Sequence, residues 1–114
     1  MKKRVLIVDD DPRIVDKLAM LLSSKYEVFV ASNGFDALER MNDGGADVVL
    51  LDVRMPGLDG PGFVEELHKH RIQVPIVLMS ANPNLPEQAR ALGVRHYLGK
   101  PFDIETVEAL IDRL

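Results

Sequence analysis

Residues 48–52 read VVLLD, a continuous apolar run that ends in a single acid. Similar runs occupy residues 5–8, 28–31 and 76–79, and a weaker one lies around residues 96–98. Short runs that are rich in β-branched residues and lack a period of two are typical of strands buried on both faces of a parallel sheet. The five runs therefore predict five parallel strands, the third of which ends in the acid.

Between these runs, apolar residues recur at helical spacing. The clearest sets are Ile14, Leu18, Leu21 and Leu22; Phe35, Leu38 and Met41; Phe63, Val64 and Leu67; and Ile104, Val107, Ile111 and Leu114. A fourth helix, near residues 87–92, is expected to be short because Pro83 and Pro86 precede it and Gly93 follows it. Five strand-helix repeats predict right-handed crossovers with helices on both faces of one sheet, the doubly wound α/β class.

Length and composition narrow the class of protein. The 114 residues fit one domain spanning residues 1–114, and the chain has no cysteine for disulfides. A net charge of −4 does not favour broad binding to nucleic acid. The apolar run after Lys2, Lys3 and Arg4 is too short for a signal peptide, and no run approaches the length that crosses a bilayer. We therefore expect a cytoplasmic protein without membrane or direct nucleic-acid contacts.

Polar groups cluster where the predicted strands end, the edge at which parallel sheets place functional groups. These groups are Asp9-Asp10-Asp11 after the first strand, Asp52, Ser80 and Lys100-Pro101. Any one of them alone could only cap a helix or shape a turn, and Asp11, just before Pro12, is expected to be such a cap. Asp103 is similarly placed to cap the last helix. Convergence from four strands favours a functional site.

The charges of this cluster indicate its chemistry. Asp9, Asp10 and Asp52 would bring three negative charges together, and a hard divalent cation, Mg²⁺ or Mn²⁺, would relieve the repulsion. A carboxylate is also a nucleophile that can form an aspartyl phosphate. Lys100 and Ser80 would supply an ammonium and a hydroxyl to phosphoryl oxygens.

The chain resembles the receiver domains of response regulators in two-component signalling, over its whole length. The matching segments are Asp9-Asp10, Asp52-Val53-Arg54-Met55-Pro56-Gly57-Leu58-Asp59-Gly60, Ser80-Ala81 and Tyr97-Leu98-Gly99-Lys100-Pro101-Phe102. The resemblance implies a flavodoxin-like (βα)5 fold with strand order 2-1-3-4-5. It also implies a phosphorylation-dependent signalling switch that is not an enzyme in the turnover sense, although it would catalyse its own phosphorylation and slow dephosphorylation.

The resemblance also implies residue roles at the acidic cluster. Asp52 would be the phosphoacceptor. Asp10 and Asp52 would ligate Mg²⁺ directly, Asp9 would reach it through water, and the backbone carbonyl of Arg54 would complete the protein ligands.

The remaining roles concern the switch. Ser80 would be the switch hydroxyl, and Tyr97 would be the aromatic that turns inward when Ser80 moves. Lys100 would contact the phosphoryl group, and its bond to Pro101 would be cis. The result would be a changed surface on the fourth helix, fifth strand and fifth helix.

The implied partners are a sensor histidine kinase or phosphotransfer protein and an unknown downstream target, with a possible homodimer on phosphorylation. We expect either a stand-alone regulator or a domain excised from a longer one, because no DNA-binding segment follows the last helix. The segment between Ser80 and Lys100 is shorter than is usual for the family. The fourth helix is therefore expected to be abbreviated or displaced.

Three alternatives remain at this point. A phosphatase of the haloacid dehalogenase type would use an Asp-x-Asp motif such as Asp9-Asp10-Asp11, but Pro12-Arg13 follow where Thr or Val is expected and the chain is too short. A flavin-binding electron carrier would need Ser/Thr/Gly-rich phosphate loops in place of an acidic cluster. The third alternative is a protein-binding module of the same fold that is never phosphorylated.

Overall fold

The computed structural model describes residues 2–55 and 57–114 and shows strands and helices in strict alternation. The strands are β1 (Arg4–Val8), β2 (Glu27–Ala31), β3 (Val48–Asp52), β4 (Ile76–Ser80) and β5 (His96–Gly99). The helices are α1 (Pro12–Leu22), α2 (Gly34–Asn42), α3 (Gly60–Lys69), α4 (Leu85–Leu92) and α5 (Ile104–Asp112). The predicted order of elements is confirmed. Among the described residues, no helix has the length and apolar character needed to cross a bilayer.

The five strands form one parallel sheet in the order β2-β1-β3-β4-β5, which confirms the doubly wound, flavodoxin-like fold. In the register of this sheet, Asp52 pairs with Met79, and Ser80 pairs with Gly99. The carboxyl ends of β3, β4 and β5 therefore meet at the same edge. The order of the strands also places β1 beside β3, so the acids after β1 come close to Asp52.

Two apolar clusters cover the two faces of the sheet, because successive strand residues point to opposite sides. On one face, Leu6 and Leu51 pack with Phe63 of α3 and with residues of α2 and α4. On the other face, Ile7 and Leu50 pack with residues of α1 and α5. Every residue of β3 is buried, as predicted for a central strand.

The prediction of burial on both faces is wrong for β2, where Val30 is exposed and Val28 and Phe29 are only partly covered. In β5, the weaker of the predicted runs, Tyr97 is exposed and His96 is partly covered. Both strands lie at the margins of the sheet, where one neighbouring strand is missing. A run of apolar residues does not distinguish a central strand from an edge strand, so the sequence pattern could not predict this difference.

Two residues predicted on buried helical faces are exposed instead. Phe35 is 63% exposed, and Leu21 is 37% exposed. In α2 the buried stripe is formed by Gly34, Ala37 and Met41. Phe35 stands about 100° around the helix axis from Gly34 and therefore points away from the core.

The fourth helix begins at Leu85, earlier than the predicted residue 87. Pro86 lies in its first turn, where a helix needs no backbone N–H and the fixed φ of proline suits the geometry. The helix has 8 residues and ends at Gly93, which has a φ of 71°. The prediction of a short helix that ends at this glycine is confirmed.

Both predicted helix caps are present. The Asp11 carboxylate accepts from the backbone N–H of Arg13 at 3.0 Å, and the Asp103 carboxylate accepts from that of Thr106 at 2.7 Å. Each satisfies a backbone donor at the start of α1 or α5.

Tyr26, which directly precedes β2, connects this strand to the end of α5 through hydrogen bonds. Its buried hydroxyl donates to Asp112 Oδ1 at 2.6 Å and lies 3.3 Å from the carbonyl of Glu108. Burial, together with the bond to Asp112, raises the pKa of Tyr26 to about 12. The folded state therefore holds the phenolic proton more tightly than the unfolded chain.

We expect Tyr26→Phe to lower the free energy of unfolding by about 1 kcal/mol at neutral pH, because the hydrogen bonds are lost. The wild type should lose this advantage as pH rises from 10.0, the ordinary pKa of the group, through about 12. Urea unfolding at neutral and alkaline pH measures the difference. Tyr97→Phe, which removes the hydroxyl of an exposed tyrosine, is the matched control. A difference that grows with alkaline pH would contradict the assignment.

Candidate functional site

Three aspartates lie together at the carboxyl edge of the sheet. Asp9 and Asp10 directly follow β1, and Asp52 is the last residue of the adjacent β3. One carboxylate oxygen from each lies within 4.8 Å of the other two. The convergence predicted from the sequence is confirmed for these residues.

The three carboxylates differ in their access to water. Asp9 is 1% exposed and Asp52 is 9% exposed, whereas Asp10 is exposed at the rim. The backbone N–H of Asp11 donates to Asp9 Oδ1 at 3.0 Å, which fixes the innermost carboxylate. The cluster therefore combines two buried acids with one that is exposed to solvent.

Lys100 bridges the two buried carboxylates. Its Nζ atom lies 3.1 Å from Asp9 Oδ2 and 3.2 Å from Asp52 Oδ1, and its side chain is 20% exposed. Its backbone N–H donates to the carbonyl of Ser80 at 2.8 Å, and its bond to Pro101 is cis, as the resemblance implied. One ammonium faces three carboxylates, so negative charge remains in excess.

The electrostatics of the pocket follow from this imbalance. Burial, and then the charge of Asp9, raise the pKa of Asp52, and Lys100 opposes them only in part. Burial alone would lower the pKa of Lys100, but the hydrogen bonds and charges of Asp9 and Asp52 outweigh burial and raise it. Lys100 therefore keeps its proton at neutral pH, and the Asp52 carboxylate is stabilised by any further positive charge nearby.

The donor set fits a hard divalent cation. Asp9, Asp10 and Asp52 provide carboxylate oxygens at a separation that one ion can bridge, and oxygen is the ligand that Mg²⁺ and Mn²⁺ prefer. Arg54 follows β3 by two residues, and its side chain is exposed. The role of its backbone carbonyl as a ligand stays a prediction. Pro56, which belongs to the same motif, lies outside the described residues.

Ser80 lies at the end of β4, next to the Lys100 segment. Its hydroxyl oxygen accepts from the backbone N–H of Asn82 at 3.0 Å, while its carbonyl accepts from Lys100. Accepting one hydrogen bond leaves the hydroxyl proton of a serine able to donate elsewhere. The structure therefore places Ser80 at the same carboxyl edge of the sheet as the acids.

Tyr97 stands apart from the acids. It is an exposed residue of β5 and lines a surface groove of about 600 Å³ with residues of α5 such as Thr106 and Leu110. Its predicted inward movement is not tested by this single conformation, in which the side chain is exposed.

Sequence reasoning missed two features of the site. Asp11 is bound by Arg13, whose Nε and guanidinium nitrogen lie 3.2 Å from the two Asp11 oxygens, and this hydrogen bonding lowers the pKa of Asp11. A groove of about 530 Å³, lined by Ile14, Leu18 and Phe102 among others, also opens beside Lys100. The spacing of Asp11 and Arg13 could have suggested the pair, whereas the groove joins residues far apart in the chain.

A family described as the response regulator receiver domain matches residues 5–112. Among curated proteins, the uncharacterized transcriptional regulatory protein YkoG of Bacillus subtilis is 36% identical over 113 residues, which is 96% of this chain and 50% of that protein. The regulatory protein AtoC of Escherichia coli is 34% identical over 113 residues, which is 96% of this chain and 24% of AtoC. The chain thus spans half or less of the length of these two relatives.

Solved structures agree with this match. The receiver domain of the Francisella response regulator 1452 superposes with a TM-score of 0.89 at 29% identity and covers 97% of this chain and 94% of its own. The chemotaxis protein CheY4 of Vibrio cholerae superposes with a TM-score of 0.87 at 30% identity, covering 99% and 98%.

Proposed function

The chain belongs to the response regulator receiver domain family, and on that premise we propose that it is a phosphorylation-dependent switch of a two-component system. Residues 1–114 would form one receiver domain whose phosphoacceptor is Asp52. The observation that carries the proposal is that buried Asp52 has a carboxylate oxygen within 4.8 Å of oxygens of Asp9 and Asp10 and lies 3.2 Å from Lys100 Nζ. This arrangement combines a nucleophile, a cation site and a fixed ammonium in one pocket.

Asp52 performs the chemical step. One of its carboxylate oxygens forms a bond to phosphorus while the bond from phosphorus to the donor breaks, and the leaving group keeps the electron pair. The donor is a phosphohistidine of a sensor kinase or phosphotransfer protein, or a small acyl phosphate. Lys100, which already contacts Asp52 Oδ1, lies close enough to donate to a phosphoryl oxygen attached there.

Asp10 and Asp52 would hold the cation directly and Asp9 would hold it through water, with the Arg54 carbonyl as a further ligand. When bound, Mg²⁺ or Mn²⁺ supplies positive charge that offsets the charge developing on the transferred phosphoryl group. Asp9 is fixed by the N–H of Asp11 and by Lys100, so its carboxylate is oriented before the cation arrives. The protein catalyses its own phosphorylation and slow dephosphorylation but does not turn over a substrate.

Ser80 and Lys100 transmit the change. The backbone bond between them couples the ends of β4 and β5, so a shift of either residue towards the phosphoryl group moves both. Tyr97 then turns inward from its exposed position and changes the surface of α4, β5 and α5. This surface is where a downstream target, or a second copy of the chain in a phosphorylated homodimer, would bind.

The groove between α1 and the segment after β5 suits the phosphodonor, because it is largely apolar and opens beside Lys100. The net charge of −4 gives no support to direct nucleic-acid binding, so the output is proposed to pass through another protein or domain. A cytoplasmic location is proposed, where such kinases present their phosphohistidine.

The test is the intact mass of the wild-type protein after incubation with acetyl phosphate, with Mg²⁺ and with EDTA. We expect one added phosphoryl group with Mg²⁺ and none with EDTA, because the three carboxylates repel an incoming phosphate without a cation. Inorganic phosphate and acetate are measured in parallel.

Two results would contradict the proposal. A folded protein that binds Mg²⁺ but gains no mass from acetyl phosphate or from a phosphorylated histidine phosphotransfer domain would favour a protein-binding module. Rapid, continuous release of phosphate without a phosphorylated protein would favour a phosphatase.

A further inference from the structure

The first turn of α2 lies against the backbone that follows Asp52. The N–H of Gly34 donates to the carbonyl of Leu58 at 2.9 Å. A Cβ atom at position 34 would stand 2.4 Å from that oxygen, so only glycine permits this approach. The two segments therefore touch backbone to backbone.

Phe35 extends the same contact. A Cβ atom built on Gly57 would lie 3.4 Å from Phe35 Cε2, so the ring covers the face of Gly57 where a side chain would stand. Gly57 has a φ of 75°, a conformation in which glycine is favoured. Phe35 is 63% exposed, and a single exposed aromatic needs no explanation in itself. The position of the Phe35 ring over Gly57 is what suggests a role for this residue.

A short path leads from this contact to the acidic cluster. Leu58 lies two residues before Gly60, whose N–H donates to the carbonyl of Val53 at 3.1 Å. The N–H of Val53 in turn donates to the carbonyl of Met79 in β4 at 3.3 Å. Val53 lies between Asp52 and Arg54. Backbone hydrogen bonds therefore connect α2 with the segment that contains the proposed phosphoacceptor, Asp52, and the expected carbonyl ligand, Arg54.

We propose that Phe35 is a positioning residue, which holds Gly57 and Leu58 in place and thereby orders the backbone after Asp52 for cation binding. The part of this inference that concerns the cation rests on the proposed function. Removing the ring leaves the Gly34–Leu58 hydrogen bond but uncovers one face of Gly57, so the backbone there is less ordered before the cation binds. Ordering it on binding then costs free energy and weakens the affinity. The affinity for Mg²⁺ should fall by about 3-fold to 10-fold. This is at or below the smallest loss that is typical when a residue supporting the metal ligands is substituted.

The test compares Phe35→Ala with wild type in two measurements. In EDTA, amide hydrogen exchange at Gly57, Leu58 and Asp59 should be several-fold faster in the variant, while exchange in β3 stays unchanged. Calorimetric titration with Mg²⁺ should show the weaker affinity. Phe35→Leu should restore part of both effects and Phe35→Tyr nearly all, because the ring is what covers this face of Gly57.

Met20→Ala is the matched control, since Met20 is a large apolar residue on α1 and is 72% exposed. It should change neither measurement. Unchanged exchange and unchanged Mg²⁺ affinity in Phe35→Ala would overturn the proposal, as would equal effects of Met20→Ala. The exchange measurement needs neither metal nor phosphate, so it tests the positioning role even if the wild type is never phosphorylated.

Discussion

Asp52→Asn should take up no phosphoryl group from acetyl phosphate in the presence of Mg²⁺, and in EDTA it should be more stable than the wild type. The first effect follows because the side-chain amide of asparagine cannot act as the nucleophile in place of the Asp52 carboxylate. The second follows because burial and the charge of Asp9 disfavour the ionised Asp52, as its raised pKa shows.

The gain in stability should be on the order of 1 kcal/mol, because two effects oppose each other. Removing the charge relieves the repulsion from Asp9. It also weakens the hydrogen bond from Lys100 Nζ, which lies 3.2 Å from Asp52 Oδ1 and would then donate to a neutral amide oxygen. Mg²⁺ should reverse the order of stabilities, because the wild type gains more from the cation when all three carboxylates are present.

Intact mass and urea unfolding, each with Mg²⁺ and with EDTA, measure both effects. Asp59→Asn is the matched control, because Asp59 accepts from the N–H of Gly62 at the start of α3 and asparagine caps helices equally well. The control should be phosphorylated like the wild type. Phosphorylation that persists in Asp52→Asn, with the added mass on another residue, would contradict the assignment of the site.

The parts of the site that could be predicted from sequence are those that depend on topology alone. Parallel strands bring their carboxyl ends to one edge, so the acids after β1 and β3 had to meet once the strand pattern was recognised. Recognition of the family then supplied strand order, which placed β1 beside β3. Neither step needs side-chain coordinates.

What the sequence did not reveal depends on rotation about helices and on position in the sheet. The exposure of Phe35 is set by the angle between it and the buried stripe of α2, and a spacing of three residues to Leu38 was mistaken for a shared face. The partial exposure of β2 follows from its place at the margin. The bridging of Asp9 and Asp52 by one ammonium was also not predicted, since the sequence suggested Lys100 only as a contact for phosphate.

That bridge leads to the second large effect, a loss of stability in metal-free Lys100→Ala. The substitution leaves Asp9 and Asp52 buried without their ammonium, and breaking such a buried pair typically costs about 3–5 kcal/mol. Because Lys100 is 20% exposed, we expect a value near the lower end, about 3 kcal/mol. Uptake of a proton by Asp52, whose pKa is already raised, limits the loss further.

Mg²⁺ should restore much of this stability and should stabilise Lys100→Ala more than the wild type, because the ammonium no longer shares the carboxylates with the cation. A ligand at 100 times its Kd contributes about 2.7 kcal/mol, which is close to the expected loss. Urea unfolding in EDTA and in saturating Mg²⁺ measures the restoration. Metal binding should persist in the variant while phosphorylation no longer alters the surface of α4, β5 and α5.

Lys25→Ala tests whether the effect belongs to the buried bridge or to any lost ion pair. Lys25 Nζ lies 2.6 Å from Asp112 Oδ2, a shorter contact than either made by Lys100, but both partners are exposed. Water screens such a pair, so its loss should be much smaller and insensitive to Mg²⁺. Combining Lys100→Ala with Asp52→Asn should cost less than Lys100→Ala alone, because only Asp9 would then lack a partner. Equal losses for Lys25→Ala and Lys100→Ala, or no rescue by Mg²⁺, would show that Lys100 does not hold the metal-free pocket together.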